Sequence, residues 1–151
     1  MRVKFKKLDV TAIEPSYGTR YSAGLDLSTI SDALIEAGKT VKVGTGIAIE
    51  IPEGYFGAVF ARSGLSTKKG LRPANCVGVI DSDYRGEIIV PLHNDSTEDR
   101  EIHKGDRVAQ LLIIPYMQAE LERVKWLIDT DRGSNGFGST DQFVDGIEAY
   151  I

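Results

Sequence analysis

Apolar and polar residues alternate with a period of two through much of this sequence, the spacing that places successive side chains on opposite faces of a β-strand. The clearest example is Ile47, Ile49 and Ile51, which alternate with Ala48 and Glu50. The other strand-like runs are residues 3–5, 55–60, 87–92, 107–114 and, more ambiguously, 117–124. Turn-forming residues interrupt these runs about every 8–12 positions, so the pattern predicts an all-β sandwich or barrel.

Helical signals are few, and the end of the chain differs from the rest. Residues 31–38 and 64–71 each suit one or two helical turns, and neither is long enough to form a helical layer. From Asp129 onward the sequence is glycine-rich and has few contiguous apolar positions. We therefore predict a β-rich core domain over residues 1–128 and a mobile C-terminal arm over residues 129–151.

Length, charge and cysteine content restrict the class of protein. A chain of 151 residues is enough for one domain with a buried core. Its net charge of −4 argues against binding to polymeric nucleic acid or to an anionic membrane, which requires a basic surface. No apolar run approaches the ~20 residues of a membrane span, and the basic start lacks the apolar segment of a signal peptide. The single cysteine, Cys76, excludes an internal disulfide, so we expect a cytoplasmic protein in which this residue is buried.

Two early segments carry side chains suited to a phosphorylated ligand. Asp26, in a Gly-Leu-Asp sequence, is either a turn residue bonded to its own backbone or a carboxylate that holds a hydrated cation. Arg62 is followed by the small residues Ser63 and Gly64. A guanidinium matches a pair of phosphate oxygens, and free N–H groups at a turn bind anions. The alternative is a solvated arginine before a turn.

Residues 75–88 combine an apolar run with a polar tip, a pattern that predicts a β-hairpin. Asp81 directly follows Val79 and Ile80, a position where a carboxylate is costly if it is buried without a partner. Burial raises the pKa of a carboxyl group, which suits a general base. The pattern therefore favours Asp81 as a functional residue and Asp83 as an ordinary turn residue.

Two later segments leave the functional and the structural interpretation open. Gln110 interrupts an apolar run, and is either an edge residue facing water or a polar group facing a ligand. The glycine- and serine-rich arm is typical of a flexible linker. It also contains Arg132, Ser139 and Thr140, which are phosphate-binding types, and Phe137, which can stack on a planar base.

Five segments, taken in order, resemble the five motifs of the trimeric deoxyuridine triphosphate nucleotidohydrolase (dUTPase) family. They read AGLDLST, ARSGLS, NCVGVIDSDYRGEI, RVAQLLI and RGSNGFGST, and the likeness runs from about residue 23 to residue 140. Asn135 stands where the fifth motif more often has glycine. The resemblance implies a jelly-roll-like β-sandwich and a homotrimer. Each of its three active sites would be built from motifs of all three chains, with the arm reaching over a neighbour.

The resemblance also implies an activity, the hydrolysis of dUTP to dUMP and pyrophosphate by water attack on the α-phosphorus. This keeps uracil out of DNA and supplies dUMP for thymidylate synthesis. Asp81 would activate the water, Gln110 would help to position it, and Tyr84 would pack under the deoxyribose. Mg²⁺ would be held by phosphate oxygens and waters, with Asp26 bound through a water. The other implied substrate-binding residues are Arg62, Ser63 and Gly64 at the phosphates, Asn75, Val79, Ile80 and Ile89 at the uracil, and Arg132, Phe137, Gly138, Ser139 and Thr140 in the arm.

Two other functions are compatible with such motifs. A deoxycytidine triphosphate deaminase shares the β fold and the nucleotide site, but residues 75–88 and the phenylalanine-bearing arm match the hydrolase pattern. A sensor that binds dUTP and signals through protein partners would retain every binding motif, although intact Asp81 and Gln110 favour turnover. A purely structural β module does not account for five ligand-type motifs.

Overall fold

The computed structural model describes residues 1–136, and nearly all regular structure in them is β-strand. The elements are β1 (Lys4–Lys7), β2 (Ser16–Tyr17), β3 (Leu25–Ser28), β4 (Ala33–Ile35), β5 (Thr40–Gly44), β6 (Ile47–Glu50), β7 (Tyr55–Phe60), α1 (Ser63–Lys69), β8 (Leu71–Pro73), β9 (Val77–Ile80), β10 (Ile89–Asn94), β11 (Arg100–Ile102) and β12 (Arg107–Pro115). The all-β prediction is confirmed. Within this part of the chain, no helix is long and apolar enough to cross a membrane.

Two compact units divide the chain, Met1–Gln118 and Ala119–Ile151. The twelve strands and the one helix found in residues 1–136 all lie in the first unit. The second unit, as far as residue 136, contains turns and no strand. The domain boundary that we expect after residue 128 stays a prediction.

The strands of the first unit form antiparallel sheets. The largest has five strands in the order β2-β3-β12-β7-β9, and a second has three in the order β5-β10-β8. Two further pairs, β1-β6 and β11-β4, are also antiparallel. Antiparallel sheets with one buried face are what a two-residue alternation predicts.

A single apolar core joins the two larger sheets. Its buried members include Leu27, Val59 and Leu111 from the five-stranded sheet and Val43, Leu71, Val90 and Leu92 from the three-stranded sheet. The two sheets therefore pack face to face, which confirms the expected jelly-roll-like sandwich. At roughly 25 cal/mol per Å² of buried apolar area, this core is the main source of stability.

The helical prediction for residues 64–71 is confirmed by α1, which follows β7 directly after Arg62. Gly70 ends the helix with φ of +69°, and its N–H donates to the carbonyl oxygens of Leu65 and Ser66. Glycine adopts this left-handed conformation without a steric penalty, so it is the residue suited to this position.

The helical prediction for residues 31–38 is wrong, because this segment contains β4. Leu34 is exposed and Ile35 is fully buried, which is a two-residue period. Backbone pairing of β4 with β11 supplies hydrogen bonds that one isolated helical turn cannot make.

The strand prediction for residues 117–124 is also wrong. Met117 and Leu121 are almost completely exposed, and no strand forms over these residues. Apolar alternation stabilises a strand only where a neighbouring strand and a core accept it, and in the described chain nothing pairs with this segment.

Candidate active site

An open cavity of about 1040 Å³ in the first unit brings together residues from four of the predicted motifs. Its lining includes the predicted site residues Asp26, Arg62, Ser63, Gly64 and Gln110. We call this the phosphate-side cavity, defined by these five residues.

Strand register explains why these distant residues meet. In the five-stranded sheet β12 lies between β3 and β7, so Gln110 is opposite both Asp26 and Phe60. Phe60 is the last residue of β7, two positions before Arg62. Residues directly opposite on paired strands share a face, so the register alone places these motifs side by side.

Asp26 is a strand residue held by two arginines, so the interpretation of it as a turn residue is wrong. Its Oδ1 accepts a hydrogen bond from Arg62 Nε at 2.8 Å, and its Oδ2 accepts one from Arg107 Nη1 at 3.0 Å. The Asp26 side chain is only 16% exposed. Two cations around one anion leave a net positive charge in the cavity, which suits an anionic ligand.

Arg107 lines the cavity, and the sequence reasoning missed it. Gln110 faces Asp26, so strict alternation would put a residue three positions away on the opposite face of β12. A register shift between Arg107 and Ala109 reverses that placement. Such bulges are not visible in an apolar-polar pattern, and they often re-aim a side chain near a functional site.

Gln110 is fixed by a backbone contact and by a glycine. Its Nε2 donates to the carbonyl oxygen of Ala61 at 2.9 Å. A Cβ at Gly24 would lie 2.7 Å from Gln110 Oε1, so a larger residue there would displace the amide. Because β12 is an inner strand, Gln110 is not an edge residue, and it lines the cavity.

Residues 75–89, which we call the crossing segment, carry the predicted base-binding residues. Asn75, Val79, Ile80 and Ile89 line a second cavity of about 290 Å³. The segment leaves the five-stranded sheet at β9 and enters the three-stranded sheet at β10. The predicted β-hairpin is therefore wrong, because β9 pairs with β7 whereas β10 pairs with β5 and β8.

Two residues of the crossing segment are exposed, although burial was predicted for Cys76 and considered for Asp81. Asp81 follows β9, an edge strand, and its side chain is exposed among the described residues. Cys76 is exposed in the turn before β9, with φ of +62°. The apolar residues beside them belong to a strand that is only partly covered by the core. Asp83 is an exposed turn residue, as predicted.

Local hydrogen bonds hold the loop after β9. Tyr84 Oη donates to the carbonyl oxygen of Glu87 at 3.0 Å. Arg85 Nη1 donates to the carbonyl oxygens of Ser82 and Tyr84 at 2.7 and 2.9 Å. A Cβ at Gly86 would lie 2.6 Å from Tyr84 Cζ, so the absence of a side chain lets the tyrosine ring lie against the backbone.

The arm residues fall partly outside the described chain. Arg132 is exposed in a turn of the second unit, and its Nε donates to the carbonyl oxygen of Asn135 at 3.2 Å. The other four predicted arm residues, Phe137, Gly138, Ser139 and Thr140, lie outside the described residues.

Comparison with known proteins identifies the family that this constellation represents. A family model described as dUTPase matches residues 11–141. The chain belongs to the dUTPase family. The resemblance of the five segments to this family is therefore confirmed.

Individual dUTPases resemble the chain over nearly its whole length. The deoxyuridine 5′-triphosphate nucleotidohydrolase of Nautilia profundicola is 49% identical over 140 residues, which cover 93% of this chain and 99% of that protein. A mutant dUTPase of Staphylococcus bacteriophage 80alpha, solved with dUpNHpp, has a TM-score of 0.86 at 28% identity, covering 92% of this chain and 98% of that one. A mutant dUTPase of phage phi11 of S. aureus, in which a structural Mg(II) ion is coordinated, has a TM-score of 0.77 at 26% identity, covering 83% and 98%.

Proposed function

We propose that this chain hydrolyses dUTP to dUMP and pyrophosphate through attack of a water molecule on the α-phosphorus. The observation that carries the proposal is the phosphate-side cavity, where strand register gathers Asp26, Arg62 and Gln110 from three motifs. A positively charged, half-buried cluster is suited to the charge that accumulates on phosphate oxygens during such a reaction.

The substrate contacts follow from the chemistry of each side chain. Arg62 presents a guanidinium, and Ser63 and Gly64 present backbone N–H groups and a hydroxyl, toward the triphosphate. The Asn75 amide and the backbone around Val79, Ile80 and Ile89 hold the uracil. Arg132, Phe137, Gly138, Ser139 and Thr140 close over the nucleotide from the arm.

Asp81 acts as the general base. Within residues 1–136 its carboxylate accepts no hydrogen bond, so both oxygens are available to a water molecule. Gln110 donates through Nε2 to Ala61, which leaves its Oε1 as an acceptor that can orient that water. Tyr84 packs under the deoxyribose and leaves no room for a 2′-hydroxyl.

Mg²⁺ is the proposed cofactor, and the residues of the cavity fit an ion that is bound through phosphate oxygens and water rather than by a cage of side chains. No group of three or more His, Cys, Asp or Glu side chains in the described chain is arranged to hold a metal. Each oxygen of Asp26 accepts one arginine hydrogen bond and keeps a further lone pair. The ion would therefore be held by phosphate oxygens and waters, with Asp26 on one of those waters, and would neutralise phosphate charge.

A homotrimer with shared active sites is the proposed assembly, and a cytoplasmic location is the proposed address. Val79 remains 61% exposed, and Tyr84 and Ile89 are exposed beside it, as expected of surfaces that a neighbour or a nucleotide covers. The free thiol of Cys76 suits a reducing compartment.

Pyrophosphate release tests the activity directly. With dUTP, dTTP, dCTP and UTP compared under the same conditions, we expect turnover of dUTP and strong discrimination against the others, because unmade hydrogen bonds penalise a wrong base. Ammonia release from dCTP would indicate a deaminase instead. Tight binding of dUTP without turnover would indicate a sensor.

Truncation tests the assembly and the domain boundary. Deletion of residues 129–151 should leave a folded trimer with strongly impaired catalysis, since the arm is proposed to supply nucleotide contacts and its described residues, 129–136, are exposed. Size-exclusion chromatography with light scattering would measure the assembly. An unfolded truncated chain would place the arm in the core and contradict the boundary.

A further inference from the structure

We propose that Arg107 is a positioning residue that keeps Arg62 available to the substrate. By donating to Oδ2 of Asp26, Arg107 competes for the oxygen that a two-pronged contact of Arg62 would need, so the outer nitrogen of Arg62 stays free for a phosphate oxygen. This inference rests on the proposed function, because it assumes that the anion in the cavity is the nucleotide triphosphate.

The hydrogen bonds of Asp26, Arg62 and Arg107 show that the two arginines have different roles. Arg62 uses Nε for Asp26 Oδ1 and directs Nη1 to the carbonyl oxygen of Arg107 at 3.4 Å. Arg107 uses Nη1 for Asp26 Oδ2. Within residues 1–136 the Nη2 group of Arg62 makes no hydrogen bond, and the side chain lines the cavity. Arg107 thus helps to orient the Asp26 carboxylate, and Arg62 keeps its Nη2 donors free for a ligand.

A second arginine-aspartate pair shows the contact that forms where no second arginine binds the aspartate, although His93 Nε2 lies 3.4 Å from Asp95 Oδ1. Arg72 Nε donates to Asp95 Oδ2 at 2.6 Å, and Arg72 Nη2 donates to Asp95 Oδ1 at 3.0 Å. This two-pronged contact is the preferred geometry of a guanidinium on a carboxylate. Its hydrogen bonds to Asp95 raise the pKa of Arg72 above the ordinary value. Arg72 therefore uses its Nη2 donor on the same aspartate as its Nε, whereas the Nη2 donor of Arg62 stays free in the described chain.

The fold places Arg107 for this role through the register shift in β12. The shift between Arg107 and Ala109 brings Arg107 to the face that Asp26 and Gln110 share. Val108 and Ala109 are both buried, so the irregularity turns consecutive residues into the core and releases Arg107 toward the cavity. The Arg107 side chain is 55% exposed, which leaves room for ligand beside it.

Substitution of Arg107 tests the inference. Arg107→Met keeps the unbranched stem and removes every donor, so Arg62 is free to bind both oxygens of Asp26. We expect the affinity for dUpNHpp and the kcat/KM for dUTP to fall about 10- to 100-fold, the value of one charge-assisted hydrogen bond, mostly through KM. Arg107→Lys restores a cationic donor and should recover most of the loss. Lys4→Gln removes one positive charge from an exposed pair outside the cavity and should leave both constants unchanged.

A double-mutant cycle separates positioning from direct phosphate binding. In an Asp26→Asn background the amide no longer draws Arg62 into an ionic fork, so Arg107→Met should have almost no additional effect. A crystal structure of Arg107→Met should show Nε and Nη2 of Arg62 both on Asp26. Equal losses from Arg107→Met in both backgrounds, or an unchanged Arg62, would overturn the inference. Failure of wild-type protein to turn over dUTP would instead contradict the proposed function.

Discussion

The two sides of the candidate site are built by different means. In the phosphate-side cavity, Asp26 of β3, Gln110 of β12 and Arg62 just after β7 are half-buried and hydrogen-bonded to one another or to backbone. In the crossing segment, Asp81 is exposed after an edge strand, and neighbouring apolar side chains face solvent. The cavity, which we call the organised side, is held by hydrogen bonds within one chain. The crossing segment, which we call the open side, leaves its predicted site residues largely exposed.

This difference separates residues that serve both folding and the proposed activity from residues that serve the proposed activity alone. Groups in the cavity stabilise the sheet and, under the proposed function, also bind the substrate, so changing one of them should affect both properties. The exposed side chains of the crossing segment contribute little to the folded chain, and under the proposed function the nucleotide and a neighbouring subunit cover them. Substitutions on the two sides should therefore separate activity from stability.

The largest effect is expected on the open side, at Asp81. Asp81→Asn removes the proton acceptor, so kcat should fall about 10²- to 10⁴-fold, the usual contribution of a general base. Because the carboxylate is exposed and unpaired in the described chain, the free energy of unfolding should stay within about 0.5 kcal/mol of wild type. Nucleotide binding should persist. Pyrophosphate assays, calorimetry with dUpNHpp and denaturant titration measure the three quantities, and near-normal pyrophosphate release would contradict the assignment.

An intermediate effect is expected on the organised side, at Asp26. Asp26→Ala leaves two arginines without their acceptor, so the free energy of unfolding should fall by about 1–3 kcal/mol and kcat/KM should fall with it. Asp95→Ala is the matched control, because this aspartate also binds an arginine but its side chain is 44% exposed. The control should lose about 0–1 kcal/mol and retain activity. If Asp26→Ala lost activity at an unchanged free energy of unfolding, the expectation that the organised side serves both stability and activity would be contradicted.

The smallest effect is expected at Gly86, which tests whether the open side has any order of its own. Gly86 is outside the left-handed region, so Gly86→Ala is compatible with the backbone, but the new Cβ would press on the Tyr84 ring. Displacing the ring by an off-rotamer change costs about 0.5–1.5 kcal/mol, so the preference for dUTP over UTP should fall about 2- to 10-fold. Ratios of kcat/KM for the two nucleotides measure this, and an unchanged ratio would show that Tyr84 does not depend on Gly86.

Much of the local structure could be predicted, because strand residues carry their own signal. The runs at residues 55–60 and 107–114 became β7 and β12 almost to the residue, since each is a short, largely apolar run bounded by turn residues. The errors lie where a partner decides the outcome. Residues 31–38 became a strand because β11 accepts them, and residues 117–124 did not because no described strand does.

By itself the sequence determined the all-β class, the five motifs and the chemical type of each candidate side chain. Only the tertiary structure decided which of these side chains meet. Asp26 contacts Arg62 across 36 positions and Arg107 across 81. Such contacts depend on the order and register of strands, and a shift in register changes the face on which a side chain emerges. Burial likewise depends on what covers a strand, which is why Asp81 could be recognised as a candidate but its exposure could not.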